Sequence, residues 1–315
     1  NLVKPFVEPN ISSQLYFAGE TSLMFKKKTY SFQVKYKRID PDYKSMGSYY
    51  IQNDIEQYTF APSFMLFKNK LVLNGSIGFQ QDNLYSKKAL RTGRTIGSVN
   101  ASFNPGQKFG MNVAYSNYGF KQNSSGLIDN YADSMLVHQV SQNISVMPRL
   151  TFMNEKASHV FFLNVSYQEM RNKNLLNDMV QDMTSVITSL NYNYFHISSG
   201  INLTPVVFIN STTVQTGIMR SIGTSLSVAK PFINNRIRSN LMLSYNSNAF
   251  DNVNNGYTFN LGGNVHIGLS KNMKHNLNMG VSWIHNNAKS NIESEILESR
   301  SFSESTGSIG YSFNF

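Results

Sequence analysis

The sequence has no cysteine, a single tryptophan, and charged side chains at only 15% of its 315 positions. Lack of cysteine rules out a disulfide framework, a thiolate metal centre and a cysteine nucleophile, and it suits an oxidising compartment. The charge content is well under the roughly 25% of soluble globular domains, yet the mean hydropathy is only −0.30. Asn, Ser, Thr, Gly, Tyr and Phe take the place of the missing charges. No stretch approaches the roughly 18 uninterrupted apolar residues of a transmembrane helix, so helical spanning is excluded. Strands that cross a membrane need only one apolar face each, and these remain open. There is no secretory leader, and the first residue is Asn1 rather than Met. The expectation is a processed or truncated chain whose targeting segment lies upstream.

What is present is alternation. Ile309, Tyr311, Phe313 and Phe315 are interleaved with Ser308, Gly310, Ser312 and Asn314, a period-two pattern with one apolar and one small polar face. Leu277–Trp283, Tyr257–Ile267, Leu241–Tyr245, Ile222–Val228, Ile201–Ile209, Val186–Tyr194, Phe161–Tyr167 and Ile144–Phe152 repeat it, as do Phe109–Tyr115, Val99–Phe103, Leu71–Phe79, Tyr58–Leu66 and Phe32–Tyr36. These are fourteen predicted strands. Short links at Asn69, Pro105-Gly106, 154–156, Ile197-Ser198, Asn234-Asn235 and Lys271-Asn272 alternate with longer polar stretches around 40–55, 84–92, 121–137, 171–182, 247–255 and 287–300, with 211–217 the shortest. Bacterial outer-membrane barrels join their strands in this order, with short periplasmic turns and longer outward loops. A soluble β-sandwich also alternates, but its polar face meets water and carries Lys, Glu, Asp and Arg. Here that face is mostly Asn, Ser, Gly and Thr, which suits an enclosed lumen. Aromatics gather near strand ends, at Tyr192, Tyr194 and Phe195 or Phe313 and Phe315, where interfacial girdles sit.

The predicted fold is therefore all-β: a transmembrane, antiparallel, up-and-down barrel of about fourteen strands over residues 29–315. Residues 1–28 form a periplasmic lead, a plug, or an extra hairpin, with Ile11–Gly19 and Leu23–Phe25 raising the count to sixteen. An even count puts both termini in the periplasm of a Gram-negative bacterium. Pro62, Pro148 and Pro205 fall inside predicted strands, where bulges or ladder breaks are expected.

The apolar terminal strand closing on Phe315 resembles substrates of the outer-membrane barrel assembly machinery. The resemblance implies that Ile309, Tyr311, Phe313 and Phe315 form a C-terminal assembly signal and that this machinery is a partner during biogenesis. The Asn, Lys, Tyr and Phe richness is similar to that of outer-membrane proteins of the Bacteroidota. So is the run Tyr36-Lys37-Arg38-Ile39-Asp40-Pro41-Asp42-Tyr43-Lys44-Ser45-Met46-Gly47, followed by Asn53-Asp54 and by Gln81-Asp82-Asn83-Leu84. This pattern resembles uncharacterised barrels of that group and carries no activity with it.

The formal charge of +10 raises the question of nucleic acid. No groove-reading helix, zinc-ligand spacing or ribonucleoprotein aromatic motif accompanies it. The clusters at Lys26-Lys27-Lys28, Lys68-Asn69-Lys70 and Lys271-Asn272-Met273-Lys274 fall between strands. Outer-membrane lipid and lipopolysaccharide phosphates are the expected partners instead. His138, His159, His196, His266, His275 and His285 form neither HExxH nor His-x3-His, so no metal or other cofactor is expected. Nor is enzymatic activity, since serines and asparagines this numerous pair with a histidine by chance. Asp251-Asn252-Val253-Asn254-Asn255-Gly256 has Val253 where a calcium loop needs an oxygen ligand, and it reads as a turn. The acidic Glu293, Glu295 and Glu298 and the basic Lys87, Lys88, Arg91 and Arg94 read as solvated loops, with binding of ions or a partner as the alternative. Lys35, Lys37, Arg149 and Arg238 are the expected lumen-facing charges, too few for an anion-selecting ring.

The leading functional expectation is a passive or gated channel for small solutes. The alternative is a non-conducting barrel that anchors or scaffolds a larger envelope complex, with its long outward loops as partner surfaces. A 22-strand active transporter with a globular plug is disfavoured by the strand count.

Overall fold

A computed structural model describes residues 14–44, 52–125, 135–174, 176, 181–233, 236–270, 274–289 and 300–313. They form one all-β sheet. Its strands are β1 (Ala18–Lys26), β2 (Tyr30–Ile39), β3 (Ile55–Leu66), β4 (Leu71–Asp82), β5 (Leu90–Phe103), β6 (Phe109–Ser124), β7 (His138–Met153), β8 (Ala157–Asn172), β9 (Met183–His196), β10 (Asn202–Val214), β11 (Gly217–Phe232), β12 (Ile237–Phe250), β13 (Val253–Gly268), β14 (His275–Ala288) and β15 (Arg300–Phe313). Each strand pairs antiparallel with its sequence neighbours, in the order β1 to β15. All fourteen predicted strands are present as β2 to β15. The fifteenth, β1, contains Leu23–Phe25 of the alternative extra hairpin, and only Leu23 and Phe25 mark its apolar face.

Cross-strand pairing keeps one parity everywhere but beyond the Asn248/Ala249 shift of β12 and β13, so each strand contributes to the same two faces. One row shows this. Tyr30 pairs with Phe64, then Leu73, Ala101, Val113, Val146, Val165, Thr188, Ile209, Ile222, Ser247 and Tyr257. The row also measures slant. Tyr30 begins β2 at the short-turn end, whereas Tyr257 lies eleven residues from Gly268, the end of β13 on that same side. Eleven residues are about 36 Å along a strand, and the eleven strand steps from β2 to β13 are about 53 Å across, so the strands lean about 35°. Barrel closure demands a lean of this size.

The sheet is a single layer without a core. Among the described residues only Ile39, Ile55 and Ala157 are buried hydrophobics, whereas Val207, Ile222, Leu241 and Val281 are at least half exposed. A sandwich would bury its inner faces against each other. This arrangement leaves the whole apolar face needing another cover.

The prolines break the ladder without shifting it. Pairing of β3 with β4 passes from Phe60–Ile77 to Ser63–Asn74 across Pro62, β7 with β8 from Val146–Val165 to Arg149–Phe162 across Pro148, and β9 with β10 from Tyr194–Leu203 to Asn191–Val206 across Pro205. Each proline lacks one amide, so one side of its ladder opens and the register survives. The sheet's one register shift, between Asn248 and Ala249, lies opposite Gly256 instead, whose φ is 114°.

Two long stretches differ from expectation. Strands β10 to β13 run on through residues 211–217 and 247–255, leaving two-residue turns at Gln215-Thr216 and Asp251-Asn252. Asp251 and Asn252 have φ of 47° and 67°, the left-handed pair of a tight hairpin that Asp and Asn tolerate. The parity of ends also differs. With β1 added, Phe313 ends at the short-turn side, but Phe17 enters beside Asp40 at the long-loop side. An odd number of meandering strands must start and finish at opposite ends, and residues 1–13, Asn314 and Phe315 lie outside the described residues. For the same reason β1 and β15 run in one direction.

Candidate functional site

The polar face carries the predicted cations, but the register does not gather them. Lys35 and Lys37 are on β2, Arg149 on β7 and Arg238 on β12, five strands apart each time. Lys35 Nζ is 2.6 Å from Glu20 Oε1, and Lys37 faces Glu20 across the β1–β2 pair. Arg149 faces Gly110, and Arg238 faces His266. The same face holds Arg94, which faces Gln80 and places its guanidinium 5.7 Å over the Phe120 ring, and Glu304, which faces Ile284. Glu20, Arg94 and Glu304 went unassigned from sequence, because a single unpatterned charge does not reveal its face until the register is known. Between these charges the face is hydrogen-bonded amide and hydroxyl: Asn193 donates to Asn202 and Thr204, Ser221 to Asn246, Ser227 to Asn240, and Asn260 to Ser244.

The apolar face is banded along the strand direction. Near the short turns lies an aromatic cluster, with Phe25–Tyr30–Phe32–Phe64, Phe103–Phe109 and Phe152–Phe161–Tyr192 in ring contact. Near the long loops lies a second, with Tyr36–Tyr58, Tyr245–Tyr257 and Phe259–Trp283–His285. Val, Leu and Ile fill the space between. Ile309, Tyr311 and Phe313 of β15 lie on this face opposite Met279, Leu277 and His275.

At the long-loop end of β2 to β5 sits a buried polar cluster. Asp40, Asp54 and Asn83 are 6%, 2% and 1% exposed. Asp54 Oδ1 accepts the Leu84 amide at 2.8 Å, and its Oδ2 pairs with Lys88 Nζ at 2.6 Å. Asn83 accepts the Lys88 amide at 3.0 Å and donates to the carbonyls of Lys88 and Leu90 at 2.8 and 3.0 Å. Asp40 accepts the Phe17 amide at 3.0 Å and Arg38 Nε at 2.9 Å. Glu56 accepts from Gln81, Tyr36 and Tyr58. Asp42, Asp54, Asn83 and Ser86 all have φ between 54° and 63°, which short polar side chains adopt at least cost. The cluster assembles the Arg38–Asp40, Asp54 and Gln81–Asn83 stretches of the Bacteroidota-like pattern; Ser45, Met46 and Gly47 lie outside the described residues. It ties two loops to the sheet rim. Asp40, Asp54 and Glu56 all accept hydrogen bonds, and Asp40, Asp54 and Asn83 each hold a backbone amide.

The basic loop disperses on folding: Lys88 goes to Asp54, Arg91 reaches the Asn83 carbonyl at 3.5 Å, and Lys87 stands 5.9 Å over the Tyr85 ring. Glu293, Glu295 and Glu298 lie outside the described residues. Asp251 ties its turn to the neighbouring β10–β11 hairpin, accepting the Ile218 amide at 2.8 Å. The histidines stay separate, His159 on Tyr192, His196 on Ser199, His266 on Asn278, His275 on Tyr311 and His285 on Ser303. Among the described residues no three His, Asp or Glu side chains could share a metal.

Burial works to raise the Asp40 carboxyl, but the Arg38 guanidinium and the Phe17 amide outweigh it and leave the group below its ordinary value. A depressed carboxyl stabilises the fold above its unfolded value and ceases to do so as pH falls through the folded one. Amide exchange at Phe17 is therefore expected to stay slow at neutral pH and to quicken once the pH drops below about 4. Exchange independent of pH after correction for intrinsic rates would contradict the clamp.

No protein-family model and no curated protein sequence matches the chain. Among solved structures it is similar to the FrpB iron transporter from Neisseria meningitidis (F3-3 variant), at 10% identity over 90% of this chain and 62% of that one, TM-score 0.49. The siderophore receptor PirA from Pseudomonas aeruginosa matches at 9% identity over 93% and 67% of the two chains, TM-score 0.43. The anion-selective porin from Comamonas acidovorans matches at 8% identity over 93% and 98%, TM-score 0.43. These structural neighbours are outer-membrane β-barrel proteins. The chain spans about three fifths of the length of the iron transporters, 60–62%.

Proposed function

We propose that the chain is an integral outer-membrane β-barrel of a Gram-negative bacterium whose lumen passes small solutes, passively or on ligand binding. One observation carries this: a coreless, slanted sheet with two aromatic belts enclosing an aliphatic band on one face and amides and hydroxyls on the other. On β8, His159 and Glu169 bound the band on the apolar face. Ten residues at this lean rise about 27 Å, close to the roughly 25 Å apolar height of outer-membrane barrels. Rolled up, fifteen such strands enclose a cylinder about 28 Å across between backbones, wider than side chains from the wall can fill. The porin-like reading follows from that width and from a lining that is amide and hydroxyl between a few scattered charges. The barrel assembly machinery would meet the apolar edge strand β15, where Ile309, Tyr311 and Phe313 stand.

Planar-bilayer recording of the purified, folded chain tests the channel. Discrete conductance steps are expected, with weak ion selectivity because Lys35 is paired and Arg149 and Arg238 are far apart. Intact bilayers that stay silent with inserted protein would remove the channel reading and leave the barrel.

A further inference from the structure

The apolar face is not uniformly convex at its long-loop end. Two adjacent rows cross β3 to β7 there. The outer row runs Glu56–Gln81–Gly93–Lys121–His138, and the one nearer mid-sheet runs Tyr58–Phe79–Thr95–Gly119–Val140. Missing side chains at Gly93 and Gly119 open a groove of about 670 Å³ between them. The fold does not demand glycine at either place. A Cβ on Gly93 would meet only the Lys121 carbonyl at 3.9 Å, and one on Gly119 would sit 3.7 Å from the Thr95 Cβ, both ordinary contacts. What glycine supplies here is depth.

Charge along the groove is unequal. Glu56, at one end, is satisfied by Gln81, Tyr36 and Tyr58. At the other end Lys121 faces His138, and the Lys173 amide binds the His138 carbonyl, so three basic residues meet at one corner. Neither Lys121 nor Lys173 makes an ion pair among the described residues. In the inner row Val140 offers hydrocarbon beside that corner and Phe79 offers it three strands away, past Thr95 and Gly119. A cationic corner above an apolar trough, at the level of a headgroup layer, is complementary to a phosphate carried on acyl chains.

Resting on the barrel reading, which turns the long-loop end outward, we infer that this groove holds a phosphorylated acyl glycolipid of the outer leaflet. Its phosphate sits at Lys121, and an acyl chain lies over Gly93 and Gly119 against Phe79 and Val140.

The test titrates the folded chain in mild detergent with bisphosphorylated lipid A, its dephosphorylated form and phosphatidylglycerol, and counts bound lipid by native mass spectrometry. Bisphosphorylated lipid A is expected to bind best. Lys121→Glu should weaken it by about fivefold or more, the effect of one interfacial cation, and Gly119→Leu should remove the bound chain by filling the trough. Gly119→Ser serves as a milder variant, and the heat-shifted gel mobility of each variant checks that it is folded. Equal binding to wild type and to the folded Lys121 and Gly119 variants, or equal binding of the dephosphorylated form, would overturn the site; equal binding of phosphatidylglycerol would overturn the glycolipid. A chain that never inserts into bilayers defeats the barrel reading instead, and bilayer insertion reports on that separately.

Discussion

Arginine at Leu243 is expected to destabilise the chain in a bilayer by roughly 2–4 kcal/mol, the cost of that side chain near the midplane of a barrel's lipid face. Arginine at Ser244, the next residue, should cost under about 1 kcal/mol. The two positions share β12 and differ only in face. Leu243 pairs with Leu226 and Leu261 in the aliphatic band, and Ser244 pairs with Ser225 and Asn260. A guanidinium at 243 has to leave water for hydrocarbon, whereas at 244 it enters a face of amides that can solvate it. Reversible denaturant unfolding in lipid vesicles measures both. In single-channel recording Ser244→Arg should also shift selectivity toward anions. Similar penalties at the two positions would mean that the faces do not differ in their surroundings.

Asn83→Ala carries the second large expected effect, confined to the rim. Asn83 is 1% exposed and supplies both an acceptor and a doubly used donor to the turn at residues 83–90. Truncation leaves the Lys88 amide and two carbonyls without that partner, and alanine also fits poorly at φ 54°. Together these should cost about 3 kcal/mol. The loss should appear as fast exchange and proteolysis at residues 83–90, with the strands unaffected, since the hydrogen bonds of the Asn83 side chain stay within that turn. Asn83→Asp, which keeps the acceptor but not the donor, should fall between. A rim as protected in Asn83→Ala as in wild type would show that the clamp is not what orders it.

Strand identity was readable in advance because membrane strands show their faces in the sequence: Leu277, Met279, Val281 and Trp283 are apolar at every second position whatever the tertiary context. Pairing with sequence neighbours then sets the topology. What escaped prediction depends on contacts that alternation does not encode. β1 was legible only as an alternative, in the short stretch Leu23–Phe25, and its full extent comes from nine register pairs with β2. The stretches 211–217 and 247–255 look like loops because Asn, Asp, Ser and Thr are common to turns and to the polar face of this sheet; only pairing, such as Arg220 with Ala249, makes them strands. Pro62, Pro148 and Pro205 were readable as ladder breaks but not as register-neutral ones. Of the candidate sites, Lys35, Lys37, Arg149 and Arg238 lie on the face that parity gives them, but their separation follows from strand order in space. The rim cluster joins Asp40, Asp54 and Asn83, which are 14 and 29 positions apart in sequence, through the register of β2, β3 and β4. Its one visible trace was the density of Asp and Asn at strand ends, residues that accept positive φ.

A cysteine-free chain allows the central claim to be tested site by site. Single cysteines placed from Ser239 to Ser247 on β12, labelled with a fluorophore in reconstituted vesicles, can be quenched from the lipid chains or from water. The account predicts a period of two, with 239, 241, 243, 245 and 247 quenched by lipid-borne nitroxide and 240, 242, 244 and 246 by aqueous iodide. Uniform aqueous quenching, or the opposite phase, would mean that the Leu and Tyr side of the sheet does not face lipid.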